Sequence, residues 1–275
     1  MEISTKSISQ SLNLYSIFGY LLPGFFLTTL FILDYDFTAI IRYYDRCNSL
    51  TLQELKGLNL KVHYVLDFFS TGTMSDFKFI PFLIFIFFCY LLGHLVSAFS
   101  SLVIERLIVK KTMGYPSKVL VSGNVINYKF LFGNYRRPLK PQMIGQLKIL
   151  VNETFGFDVH KEDYYWLCYS YIITTRPYLA SRVHHFVNLY GFSRNITATI
   201  LIYLFCRPIL LWMIIGSKMD GYSWLSWFLL LISAIFMFWN YLKLFKRQAV
   251  DIYYLFISIK KDSKTAVNTS TVEED

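Results

Sequence analysis

The chain has 275 residues, of which 55% are hydrophobic and 19% are aromatic, and its formal net charge is +9 at pH 7. Its mean hydropathy of +0.41 is too high for an ordinary soluble domain, and its apolar residues arrive in long blocks. The composition therefore excludes a typical soluble protein and indicates a membrane protein.

Two blocks in the N-terminal half are predicted to span a bilayer, residues 15–33 and residues 79–104. Each falls within or just above the roughly 17 to 25 residues that a helix needs to cross the hydrocarbon core. The first block is too long for a secretory signal, and no small-x-small cleavage site follows Leu33. We therefore expect two transmembrane helices joined by an outer loop over residues 34–78.

A strongly basic region follows the second block. Residues 106–152 contain nine Lys or Arg and no Asp or Glu, a bias that is typical of a segment leaving the bilayer on the cytoplasmic side. Residues 112–140 are rich in Gly and Pro among β-branched and aromatic residues, which predicts loops with one hairpin. Helices are then predicted to begin near Pro141 and Pro177, and Gly156 marks the end of the first of them.

Residues 196–216 and 222–242 are the third and fourth predicted spans, and the cations beside all four spans place both termini in the cytoplasm. The basic, aromatic and aliphatic stretch after residue 242 predicts a helix that continues the fourth span or lies along the inner headgroups. From Asp262 onward we expect disorder. The predicted fold is mainly α, a polytopic membrane protein with four transmembrane helices and a small, mostly helical cytoplasmic region. Its predicted divisions are residues 1–104, 105–194, 195–242 and 243–275.

Small residues recur along one side of the second span. Gly93, Ser97 and Ser101 are spaced every four residues, and Gly24 and Thr28 form a similar stripe in the first span. Small residues let helices approach closely in lipid, where association depends on packing and interhelical hydrogen bonds. The stripes predict either packing of the two spans against each other or an interface between copies of a homo-oligomer.

Three residues within the spans are candidates for function, His94, Arg207 and Pro208. His94 is either a neutral, hydrogen-bonded structural group or an ionisable group that lines a pore. An arginine near the bilayer centre costs at least about 2.5 kcal/mol unless it meets water or a partner. Pro208 leaves the carbonyl four residues earlier without its helical donor, which predicts a bend or break. Arg207 and Pro208 therefore line an aqueous cavity, or the arginine extends to the membrane surface.

The cations of the basic region are interleaved with aromatic residues. Because they begin directly where the second span ends, we favour contact with anionic lipid over contact with single-stranded nucleic acid or a nucleotide, and a protein partner is also open. Phosphate-loop, dinucleotide and zinc-ligand spacings are absent from the sequence, so we expect a non-enzymatic protein without a cofactor, a metal or a catalytic site. The candidate surface consists of Arg106, Lys110, Lys111, Lys118, Lys129, Arg136, Arg137, Lys140 and Lys148.

Three stretches carry a family resemblance: YLLPGFF, LLGHLVSAFSSLVIER, and YYWLCYSYI followed by RVHHFVNLYGFSRN. With them the chain resembles bacterial four-span membrane proteins of anti-phage defence clusters, such as retron-associated transmembrane effectors. The resemblance implies an inner-membrane effector that is held silent by a protein or ribonucleoprotein encoded nearby, then released to disrupt the membrane in abortive infection. The alternative is a membrane scaffold or sensor that recruits a cytoplasmic partner through the basic region. A small transporter is less favoured, because no broken helix is repeated.

Overall fold

The computed structural model describes residues 17–47, 76–122, 135, 137–156, 164–215 and 221–270, and within these ranges the fold is helical without a strand. Two segments are wound as π-helices, π1 (Ile17–Leu21) and π2 (Ser101–Met113). The remaining helices are α1 (Leu22–Cys47), α2 (Asp76–Ser100), α3 (Pro116–Ser122), α4 (Pro141–Phe155), α5 (Tyr164–Thr175), α6 (Pro177–Ile215) and α7 (Gly221–Ser270).

Three helical stretches are long and apolar enough to cross a membrane, Phe82–Ser122, Pro177–Ile209 and Trp224–Ser263. They include much of the predicted second, third and fourth spans. A shorter apolar helix, Gly19–Tyr35, lies at the predicted first span. The chain therefore has the helices of a membrane protein.

Helix α4 begins at Pro141 and is followed by Gly156, which takes a left-handed conformation with φ of 70° and donates its backbone N–H to Asn152. Helix α6 begins at Pro177. A proline at the first helical position loses no intrahelical bond, and glycine adopts positive φ at little cost. Both helix starts and the end of α4 are confirmed.

Several predicted boundaries differ from the structure. Helix α1 continues to Cys47, so the first part of the expected outer loop is helical, and residues 48–75 lie outside the described residues. Helix α7 continues to Ser270, past the point where disorder was expected. Residues 116–122, expected in loops with a hairpin, form α3 because Leu120 and Val121 are buried in a core, and packing overrides strand propensity. Residues 123–134 lie outside the described residues.

The chain divides into two compact units. We call residues 16–100 and 195–235 the bundle unit, and residues 1–15, 101–194 and 236–275 the core unit.

The core unit has a hydrophobic core assembled from α3, α4, α5 and parts of α6 and α7. Leu147, Cys168 and Phe256 have no exposed surface. Burial raises the pKa of the Cys168 thiol, because an apolar surrounding disfavours the thiolate. The core unit is thus packed in the manner of a soluble domain.

Candidate functional site

Helix α2 touches both α1 and π1 backbone to backbone, at Gly24 of α1 and at Gly93 of α2. A Cβ atom at Gly24 would lie 1.8 Å from the carbonyl oxygen of Cys89, and one at Gly93 would lie 1.7 Å from that of Tyr20. The Thr28 hydroxyl donates to the Gly24 carbonyl at 2.9 Å and accepts the Cys89 thiol at 3.8 Å. The predicted small residues Gly24, Thr28 and Gly93 therefore meet within one chain, in an antiparallel helix pair.

The last part of the predicted stripe behaves differently. Ser97 is buried, and its carbonyl oxygen lies 2.8 Å from Oγ of Ser100. Ser101 begins π2, which belongs to the core unit, and it is half-buried. A spacing of four residues keeps side chains on one face only where the helix is α-helical. The spacing therefore fails where π2 begins, and Ser100 is fully buried in place of Ser101.

A proline in the first turn of α1 creates a polar contact. Pro23 has no N–H, so the α-helical donor to the Gly19 carbonyl is missing. The side chain of Asn195, in α6, donates Nδ2 to this carbonyl at 2.6 Å, and its Oδ1 accepts the hydroxyl of Ser100. Asn195 is 1% exposed. One buried amide thus joins α6 to π1 and to the end of α2.

Pro208, inside α6, also leaves a carbonyl that another helix satisfies. Helix α6 does not break at Pro208 but continues to Ile215, which corrects the predicted break. The carbonyl left without its helical donor is that of Leu204, and Trp227 of α7 donates Nε1 to it at 3.3 Å. A neighbouring helix therefore satisfies the group that the proline leaves free, as buried polar groups in lipid require.

Arg207 is buried in an ion pair. Its Nε lies 3.0 Å from Oδ1 of Asp34, and its Nη1 donates to the hydroxyl of Ser226 at 2.7 Å. The guanidinium carbon lies 5.9 Å from the centre of the Tyr203 ring. Because the arginine side chain is only 3% exposed, it does not extend to a surface. The ion pair joins α1 to α6, and the hydrogen bond to the Ser226 hydroxyl joins α6 to α7.

Sequence reasoning singled out Arg207 but missed Asp34, which was assigned to the outer loop. Two signals could have found it. Asp34 directly follows an apolar block, and it is the first acid after Glu2. A lone acid at the end of one span is the natural partner for a lone arginine in another, since unpaired charges in lipid are costly.

His94 lies on an exposed face of α2. Its ring stacks on Tyr20 with 3.9 Å between centroids, and it makes an edge contact with Tyr90 at 4.5 Å. Tyr20 and Asp34 are separated by 14 positions of continuous helix, or about 21 Å at 1.5 Å per residue. The structure therefore does not bring His94 together with Arg207 and Pro208.

A groove of about 510 Å³ runs between α1 and α2. No charged side chain lines it, so it offers no favourable path for ions. Its lining residues are Leu27, Thr28, Phe31, Ile32, Tyr35, Phe88 and Leu92.

The described cations of the basic surface are exposed, but they are spread over π2, α3, α4 and the segment before α4; Lys129 and Arg136 lie outside the described residues. Two acids of the core unit are paired: Glu105 with Arg194, and Asp251 with Arg182 at 3.2 Å. The exposed members of the basic surface are Arg106, Lys110, Lys111, Lys118, Arg137, Lys140 and Lys148.

Three polar contacts thus follow one another along α6, made by Asn195, by the Leu204 carbonyl and by Arg207. Each joins α6 to another apolar helix of the bundle unit. Such contacts fix which helices associate and in which register, since apolar surface alone does not drive association in lipid. No protein-family model, curated protein or solved structure matches this chain.

Proposed function

We propose that the chain is a non-enzymatic, multi-pass protein of the bacterial inner membrane, with four spans and both termini in the cytoplasm. It acts as the effector of an anti-phage defence system and, when triggered, disrupts the integrity or the potential of the membrane. The three long apolar helices, the shorter fourth and the basic residues beside them support the topology. The resemblance of the three sequence stretches supports the role in defence.

The buried ion pair of Arg207 and Asp34 carries the proposal. A charged pair among apolar helices is expensive to bury, and ionisable groups at membrane depth are by default functional. The pair joins α1 to α6, so separating these helices would expose a cation and an anion inside the membrane and draw in water. In this mechanism the closed pair is the silent state, and its opening begins permeation.

A single copy in the closed state offers no path for ions, because the groove between α1 and α2 has no charged lining. We propose a homo-oligomer whose copies rearrange when the core unit is released by a protein or ribonucleoprotein partner encoded nearby. The exposed apolar residues of α2, among them Phe87 and Leu95, offer surface for such contacts.

The proposal is tested by inducing the chain in bacteria, alone and together with its neighbouring genes, while a potential-sensitive dye is followed during phage challenge. Loss of potential is expected when the chain is expressed alone or when phage releases it from its partner. A potential that stays unchanged in every condition would contradict the proposal.

The exposed cations favour a second function, a scaffold that recruits a cytoplasmic partner. Arg137, Lys140 and Lys148 are exposed just before and along α4. In this case the triple variant R137Q/K140Q/K148Q loses the partner from detergent extracts, whereas Arg207→Gln retains it. Nuclease treatment of the extract separates a nucleic-acid partner from a protein one.

A further inference from the structure

Helix π2 has unusual winding that decides which of its side chains share a face. An α-helix has 3.6 residues per turn, whereas hydrogen bonds between residues five apart give a π-helix about 4.4. The five-residue pattern persists to the end of π2, where the N–H of Gly114 donates to the carbonyl of Val109 at 2.8 Å. The angle between successive side chains is therefore about 82° instead of about 100°.

With this winding the burial pattern of π2 becomes simple. Ile104 and Val109 are both fully buried, and they lie about 50° apart around a π-helix. In an α-helix Val109 would instead lie within about 20° of Leu102, which is 54% exposed. Besides Thr112, the exposed residues of π2 are two leucines and three cations: Leu102, Arg106, Leu107, Lys110 and Lys111.

The wider winding gathers these five side chains. They occupy an arc of about 115° in a π-helix, against about 180° in an α-helix. Glu105 lies outside this arc, and its carboxylate is paired with Arg194. The cationic face thus has no acid of its own helix to compete for a bound anion.

The order of residues along this face matches the gradient from hydrocarbon to headgroup. Leu102 comes first after the apolar helix α2, Arg106 and Leu107 follow one turn later, and Lys110 and Lys111 lie one turn further. Arginine binds phosphate oxygens through a planar fork, and lysine adds point charges. Exposed leucines among the cations fit acyl chains better than they fit nucleic acid, which would need aromatic groups for base stacking.

We propose that this face of π2 binds the headgroup phosphate of an anionic phospholipid, with Leu102 and Leu107 against its acyl chains. The inference rests on the proposed insertion in the membrane. It assigns the lipid contact to one helix rather than to the whole basic stretch.

The test uses the purified full chain and measures its preference for fluorescent phosphatidylglycerol over fluorescent phosphatidylcholine in the same detergent. At about 1 kcal/mol for each cation near a lipid surface, the wild-type preference is expected to be at least about tenfold. The variant R106Q/K110Q/K111Q should abolish the preference. A matched control, K118Q/K140Q/K148Q, neutralises three exposed cations of the same stretch that lie outside π2, and it should retain the preference.

Equal preference in wild type and R106Q/K110Q/K111Q would overturn the proposal, and so would an equal loss in the control variant. Displacement of phosphatidylglycerol from the wild type by inorganic phosphate or by single-stranded DNA would also overturn it, since the site would then bind free anions or nucleic acid. Should the triple variant aggregate, each single glutamine variant must lower the preference by about fivefold, and R106K/K110R/K111R must retain it.

Reconstitution separates this inference from the proposed function. Vesicles of phosphatidylcholine alone and of phosphatidylcholine with phosphatidylglycerol are used, and insertion is measured by flotation and protease protection. Failure to insert into either kind would contradict the membrane function itself. Insertion without any preference for phosphatidylglycerol would overturn the lipid site alone.

Discussion

The two units of the chain differ in their interiors: the core unit has a large cluster of buried apolar side chains, whereas the bundle unit also buries a charged pair and an amide. The bundle unit exposes large apolar side chains, such as Phe205 at 74%, and buries Asn195 and Arg207. The core unit buries Leu147 and exposes the cations of π2, α3 and α4. Water drives the burial of apolar surface in the core unit, whereas lipid provides no such force between helices. The bundle unit must therefore depend on close backbone contact and on specific polar pairs.

The largest expected effect comes from breaking the ion pair of the bundle unit. Arg207→Leu leaves Asp34 buried without its cation, and removal of one partner of a buried pair costs about 3 to 5 kcal/mol. Thermal unfolding of the purified chain in detergent measures this loss of stability.

A surface pair of the core unit is the control. Arg182 is 59% exposed in its pair with Asp251, so Asp251→Asn should change stability by less than about 1 kcal/mol. The double variant D34L/R207L should recover most of the stability lost in Arg207→Leu, because no unpaired charge remains. Equal effects of the bundle and core substitutions would contradict the contrast between the units.

The next effect concerns the close approach of α2 to π1. Gly93→Ala places a methyl group against the Tyr20 backbone, which cannot move aside as a flexible side chain would, so we expect destabilisation by about 1 to 3 kcal/mol. Gly145 of α4 has no atom within 4 Å of a Cβ, and Gly145→Ala should stabilise by about 0.5 to 1 kcal/mol. The two substitutions are compared by thermal unfolding, and the same sign of change in both would refute the close packing.

The smallest of these effects tests the carbonyls that the prolines leave free. Trp227→Phe keeps most of the apolar area but removes the donor to the Leu204 carbonyl, at a cost of about 1 kcal/mol. Trp224 is 56% exposed, and Trp224→Phe is the matched control, with little expected change. Equal shifts of the unfolding temperature in the two variants would show that the hydrogen bond to the Leu204 carbonyl does not contribute to stability.

The elements that were predictable from sequence depend on local patterns. Pro141, Gly156 and Pro177 mark helix ends through their backbone chemistry alone, and the spacing of Gly24 and Thr28 indicates a close approach before its partner is known. Arg207 stands out because a charge in an apolar block is costly wherever its partner lies.

The missed features depend on contacts between distant segments or on winding. The bond from Trp227 to the Leu204 carbonyl becomes evident only when α6 and α7 are placed side by side. The faces of π2 were not predictable because sequence periodicity assumes α-helical winding, which sets Val109 on the wrong side. Leu120 forms part of a helix because of the core it enters rather than because of its neighbours in sequence.

The central claim is that the ion pair between α1 and α6 holds the protein silent in the membrane. It is tested most directly by measuring membrane potential in cells without phage that express the chain together with the neighbouring genes that we propose to silence it. We predict that Asp34→Asn and Arg207→Gln each depolarise these cells, and that the charge-swapped variant D34R/R207D restores the wild-type potential. Single variants that keep the wild-type potential, or a swap that depolarises as strongly as they do, would contradict the account.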